Sequence, residues 1–240
     1  KFYVIFCKSL LVCVFAVMVI GACSGVGVIR GIIASAPTID DIVATPTGFL
    51  STVLDANGNQ TATLVASGSN RRAVTIDEIP KNLQHAFEDE RFYEHNGIDV
   101  TGIIRAGVKG VASGFHFSEG ASTITQQLLK NTVFTSWTSE SSMADKFERK
   151  FQEQYLALQL EKVVDKDWIL ENYLNAINLG QNTLGVGVAS ERYFGKDVSD
   201  LTLSECAVLA AITQNPSKYN PITNPQENSK RRMKVLNNMK

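Results

Sequence analysis

The sequence predicts a mainly helical domain carried on one N-terminal transmembrane helix, with a small β pedestal between the two. Three observations predict it. Residues 9–29 (SLLVCVFAVMVIGACSGVGVI) hold no charged side chain. Residues 50–65 place Ala56-Asn57-Gly58-Asn59 between two β-prone runs. From Pro80 onward, apolar residues recur at helical spacing.

The apolar run is long enough, at about 1.5 Å rise per residue, to cross a bilayer core of about 30 Å. Lys1 and Lys8 precede it. The positive-inside rule then places the N-terminus in the cytoplasm and everything beyond Arg30 outside. Ile20-Gly21-Ala22-Cys23 also resembles a lipoprotein cleavage site, and a cleaved secretory signal is a third reading. All three put the remaining chain on the outer side of the membrane. The expected division is an anchor with flanks over 1–34, an extended and hairpin pedestal over 35–79, and the main domain over 80–240.

Asn-Gly between β-prone runs is a hairpin signal. In the main domain, residues 147–164 and 165–177 read as two helices. The second carries Ile169, Leu170, Tyr173, Leu174 and Ile177 on one stripe. Thr202-Leu203-Ser204-Glu205 is a capping box opening a further helix. Residues 138–144, rich in Ser and Thr, read as a connection. Residues 110–120 are Gly-rich around Phe115-His116-Phe117 and read as a mobile flap. The run Lys230-Arg231-Arg232-Met233-Lys234 reads as a solvated helix face.

Length and charge narrow the function. The chain has 240 residues, enough for one sizeable core. Its 23 Lys and Arg nearly balance 24 Asp and Glu, for a formal net charge of -1, so nothing argues for nucleic acid. Any anion site must be local. Cys7, Cys13 and Cys23 lie in or beside the apolar segment, and Cys206 heads an apolar run as a small core residue. No disulfide framework or metal cluster is indicated.

Three stretches carry candidate chemistry. In Gly120-Ala121-Ser122-Thr123-Ile124-Thr125-Gln126-Gln127-Leu128-Leu129-Lys130-Asn131, a helix would put Thr123, Gln127 and Lys130 on one face, with Ile124, Leu128 and Leu129 turned to a core. A hydroxyl, an amide and a cation suit an anionic, hydroxyl-rich ligand; the same stripe would serve a solvated helix face equally well. In residues 88–99 an acidic cluster sits beside Phe92 and Tyr93. A carboxylate against aromatic surface can gain the pKa of a general acid or base, although an acidic helix end reads the same way. Arg149 and Glu153 are one turn apart with Lys150 adjacent. An ordinary intrahelical salt bridge, worth about 0.3–0.5 kcal/mol, would look identical. Two carboxylates are the usual kit for chemistry at a sugar C1, and cations suit a phosphate leaving group.

The chain resembles the family 51 glycosyltransferases, the peptidoglycan polymerases of class A penicillin-binding proteins and their monofunctional relatives. Five blocks carry the resemblance in order: EDERFYEHNGID (88–99), GASTITQQLLKN (120–131), RKFQEQYLALQLE (149–161), KDWILENYLN (166–175), and the stretch from Gly185 through Tyr193-Phe194-Gly195-Lys196 to Leu209. The resemblance extends over roughly residues 80–225. The resemblance implies a mainly α, lysozyme-like, two-lobed glycosyltransferase domain. It implies Glu88 as general base toward the acceptor 4-hydroxyl and Glu153 as the second essential carboxylate. Lys130, Arg149 and Lys150 would surround diphosphate, and Ser122, Thr123, Gln127 and Asn131 would contact sugar and phosphate. His95 and Phe92 would hold the first motif's shape, and the Tyr193 block would brace the cleft. No tightly bound cofactor is implied, although a divalent cation, Mg or Mn, is associated with the position of Asp89. Implied partners are lipid II, the growing glycan strand, the membrane, moenomycin-type inhibitors and other cell-wall synthesis proteins. The implied location is the bacterial cytoplasmic membrane, single-pass, with the catalytic domain outside. Beyond residue 240 a transpeptidase domain would be expected by the same resemblance.

One spacing departs from the family. Leu83-Gln84-His85-Ala86-Phe87 runs straight into Glu88, where about three more residues, nearly one helical turn, would be expected. Besides polymerisation, two readings stand, the second of them made plausible by this spacing. A hydrolase on the same fold would release muropeptides from finished glycan, but has no diphosphate for Lys130, Arg149 and Lys150 to hold. A non-catalytic scaffold would bind lipid II without polymerising it.

Overall fold

The computed structural model describes residues 2–39, 42, 44–66, 69–87, 91–114 and 120–239. Nine α-helices and one two-stranded sheet make up the regular structure among these residues. The fold is mainly helical, with an N-terminal apolar helix and a small antiparallel hairpin.

Helix α1 (Phe2–Ala34) contains the apolar run. Its segment Lys8–Ala34 is long and apolar enough to cross a membrane, as a single-pass anchor requires. Its described side chains are exposed until Ile29, Ile32 and Ile33, which are half-buried at i, i+3 and i+4.

Strands β1 (Ser51–Leu54) and β2 (Gln60–Leu64) pair antiparallel, with Ser51 opposite Leu64 and an irregularity after Val53. The turn follows from its residues. The Asp55 carboxylate accepts from the backbone N–H of Asn57 and Asn59, both at 2.8 Å, and Gly58 takes φ 85°. After the hairpin the chain is tied to the helices that follow, where the Asn175 amide pairs with both backbone groups of Val74 and Glu171 accepts from the Ile76 N–H.

The remaining helices are α2 (Lys81–Phe87), α3 (Val100–Ala112), α4 (Ile124–Thr132), α5 (Met143–Leu160), α6 (Lys166–Ala176), α7 (Val186–Phe194), α8 (Leu203–Ile212) and α9 (Pro225–Asn238). Helix α8 is apolar on nearly every side and buried from Cys206 to Ile212, so it forms the core's axis against α2 and α9. The capping box is present at its start: Glu205 accepts from the Thr202 N–H at 2.8 Å. Helix α4 packs on α5 and α6, and this trio carries the candidate site.

Two expectations change. Helix α3 continues through Gly110 to Ala112, so the start of the expected flap is helical; residues 115–119 lie outside the described residues. Arg231 and Arg232 are half-buried rather than solvated, because α9 packs along α8. The expected connection over 138–144 begins in the end of a 3-10 turn, Thr135–Ser139, and its last two residues already belong to α5.

Candidate active site

The site is built on α5. Its sequence puts Arg149, Lys150 and Glu153 within one turn, and Gln152, Glu153, Leu156, Ala157 and Leu160 are buried. Glu153 therefore faces inward with no exposure. A buried carboxylate needs partners. Glu153 has two: it is ion-paired with Arg149, and Oε2 accepts from Lys150 Nζ at 2.7 Å. Arg149 is shared, since its Nε also donates to both oxygens of Glu140 at 2.7 and 3.0 Å. Burial is the largest single influence on this guanidinium and opposes its charge. Glu140 and Glu153 outweigh it and hold the pKa above the ordinary arginine value.

The N-terminus of α4 closes the other side. Lys150 Nζ donates to Ser122 Oγ at 2.7 Å, linking the two elements. Thr123 is the N-cap of α4, not a member of an open helical stripe. It is buried, its hydroxyl donates to the Gly97 carbonyl at 2.7 Å, and it accepts from the Gln126 N–H. Gln127 Nε2 donates to the Ser122 carbonyl at 3.2 Å, and its Oε1 accepts from Tyr173 at 3.2 Å. Ile124, Leu128 and Leu129 are in the core.

Lys130 is half-buried one turn further along α4, 4.5 Å from the Trp137 ring centroid. Its ammonium has no hydrogen-bond acceptor among the described residues. Burial, first, and the neighbouring charges of Lys150 and Arg149 lower its pKa, while Glu153 works in the opposite direction. Asn131 is half-buried, with no side-chain hydrogen bond among the described residues. The structure thus joins Ser122, Arg149, Lys150 and Glu153 by direct contact. Lys130 faces them electrostatically, and Gln127 supports Ser122. Glu88 and Asp89 lie outside the described residues; α2 ends at Phe87 immediately before them. Among the described residues no group of three or more His, Cys, Asp or Glu could hold a metal ion.

Residues 91–99 are tied to the helices around them. Phe92 is 1% exposed, and the Lys166 ammonium sits 4.6 Å from its ring centroid. Lys166 Nζ also donates to the His95 carbonyl and to Glu161, both at 2.7 Å. Glu161 in turn accepts from the Thr125 hydroxyl. Gly97 takes φ 90°, and a Cβ there would lie 2.6 Å from the Ala157 backbone, so loop and α5 touch directly. On the far side, the Tyr193 hydroxyl donates to the Leu179 carbonyl at 2.7 Å.

Sequence reasoning missed Glu140, Trp137 and the Thr125–Glu161–Lys166 chain. Glu140 lies outside any helical period with Arg149, and no spacing signal marks it. Thr125 and Lys166 lie within blocks that carry the resemblance, yet their link crosses three elements.

Comparison with known proteins bears on this arrangement. Residues 57–240 match the transglycosylase family. The chain belongs to that family. It is the glycosyltransferase family 51 domain that class A penicillin-binding proteins carry. This transglycosylase domain is 41% identical to penicillin-binding protein 1A of Clostridium perfringens, over 98% of this chain and 33% of that protein. It is 45% identical to penicillin-binding protein 1F of Bacillus subtilis over 79% of this chain and 26% of that protein. Penicillin-binding protein 1A/1B of Bacillus subtilis matches at 40% over 97% and 25%. The chain thus spans a quarter to a third of the length of these relatives. The crystal structure of penicillin-binding protein 1A from Haemophilus influenzae aligns over 81% of this chain and 18% of that one, at 22% identity and a TM-score of 0.41.

Proposed function

We propose that this transglycosylase polymerises lipid II into β-1,4-linked glycan for the bacterial cell wall, by inverting transfer with release of undecaprenyl diphosphate. The observation that carries the reading is the set of uncommitted cationic donors beside a buried carboxylate. All three Lys130 N–H groups and the third of Lys150 lack an acceptor among the described residues. A half-buried ammonium without an acceptor is costly, and a diphosphate would relieve that cost.

In the proposed reaction Glu88 removes the proton from the 4-hydroxyl of the acceptor N-acetylglucosamine. That oxygen forms a bond to C1 of the N-acetylmuramic acid at the growing chain's lipid end, and the C1–O bond to diphosphate breaks. Attack from the opposite face converts the α linkage to β. Lys130, Lys150 and Arg149 stabilise the departing negative charge. Glu153 fixes the two cations beside it and stabilises positive charge at the sugar. Ser122, Thr123, Gln127 and Asn131 complete the polar wall, Thr123 by holding the α4 N-terminus in place. The domain would work from the outer face of the cytoplasmic membrane, with α1 as its single span and the substrate's lipid tail in the same bilayer.

The test is the product. Incubation with lipid II should give glycan cleavable by lysozyme at its β-1,4 bonds, with undecaprenyl diphosphate released in step. Release of muropeptides from finished glycan would instead identify a hydrolase.

A further inference from the structure

The end of the membrane helix is fastened to the helix that carries the site. The last four carbonyls of any α-helix lack intrahelical donors. In α1 the Gly31 carbonyl is met by the Ser35 N–H and the Ile33 carbonyl by the Ala36 N–H. The Ile32 carbonyl is met from outside: the Ser35 hydroxyl lies 2.9 Å from it and Gln152 Nε2 donates to it at 3.3 Å. Gln152 Nε2 also donates to Ser35 Oγ at 3.0 Å, and Glu148 Oε1 lies 3.1 Å from the same hydroxyl. Gln152 is 8% exposed, so its amide is committed to this contact. Ile29, Ile32 and Ile33 bury the apolar side of the same turn.

We infer that Gln152 is a positioning residue that sets the height of the site above the bilayer. It adjoins Glu153 on α5 and lies within one turn of Arg149 and Lys150. Helix α1 is continuous from the apolar span to Ser35, so its depth is passed to α5 through this contact, with no loop between. A slip of one residue along α1 would move the site by about 1.5 Å. Misplacement of about 1 Å can cost about 10²-fold in rate. The inference rests on the proposed lipid II reaction, in which the reacting sugar hangs from a lipid embedded in the same bilayer. Height then matters for a membrane-held substrate and not for one free in solution.

The experiment compares two substrates with the protein in phosphatidylethanolamine–phosphatidylglycerol vesicles: lipid II with its full-length tail, and a short-tailed, water-soluble analogue. The variants are Gln152→Ala, Gln152→Glu, which keeps the shape but loses the donor, and Ser35→Ala on the exposed partner. Each should slow the long-tailed substrate by about 10-fold or more, while the short-tailed one stays within about twofold of wild type. Ser35→Ala keeps the test available if a Gln152 variant fails to fold. Equal losses on both substrates would reduce the contact to a structural role and overturn the inference, as would no loss on either. A folded wild type inactive on both substrates would overturn the lipid II reading itself and the inference with it.

Discussion

Lys150 donates to Ser122 at 2.7 Å while holding Glu153 at 2.7 Å, so one ammonium ties the N-terminus of α4 to the buried carboxylate of α5. The two elements of the site are thereby one object. Ser122→Ala should leave the fold within about 1 kcal/mol of wild type, since Lys150 is partly exposed and solvent can replace the lost acceptor. It should lower kcat/KM on lipid II by about 10-fold, because the freed ammonium no longer has a fixed position. Thermal melting and steady-state kinetics on one preparation check both halves.

Lys130 should set the alkaline limit of the proposed reaction. Burial, its first cause, lowers its pKa below the ordinary lysine value, so the folded protein disfavours its charge. As pH rises through that lowered value the ammonium is lost, and with it the proposed donor to diphosphate. The alkaline limb of kcat/KM should therefore begin below the usual lysine range. Lys130→Arg, whose guanidinium stays charged, should move the limb to higher pH even where the maximal rate falls. A limb unchanged in the arginine variant would assign it to another group.

Gly97→Ala should be strongly destabilising. The residue has φ 90°, and the new Cβ would meet the Ala157 backbone at 2.6 Å. Strain in that backbone region alone costs about 1–3 kcal/mol. The Gly97 carbonyl also accepts from Thr123 and Gln126, so displacement would pull on the α4 N-terminus as well. A denaturant midpoint close to wild type would contradict the close approach.

Cys206 should be inert in the folded protein. It is fully buried in α8, and burial pushes its thiol up to about 11. At pH 8 an alkylating reagent should leave it unmodified until denaturant is added, as peptide mapping by mass spectrometry would show.

The fold was largely legible in the sequence where local chemistry dictates structure. The uncharged run became α1, Asn57-Gly58 became a hairpin turn, the stripe from Ile169 to Leu174 became the buried side of α6, and Thr202 with Glu205 opened α8. Helical periodicity also placed Glu153 beside Arg149 and Lys150. What the sequence could not show is what crosses between elements. Thr123 looked like a ligand contact on a helical stripe, yet the stripe begins one residue later and its hydroxyl caps the helix. Glu140 reaches Arg149 from a non-periodic connection, and Gln152 reaches α1 across more than a hundred residues. The half-buried Arg231 and Arg232 show the same limit, since only the packing of α9 on α8 decides which face of a basic helix is wet.

The most direct measurement is lipid II polymerisation by the purified protein in detergent, beside Glu153→Gln and Glu88→Gln. Wild type should make glycan, and each variant should lose about 10²-fold or more in rate with lipid II binding retained. A folded wild type that binds lipid II and makes no glycan would contradict it. The short approach from Phe87 to Glu88 would then mark a lipid-binding scaffold. A fully active Glu153→Gln would equally remove the buried carboxylate from the centre of the mechanism.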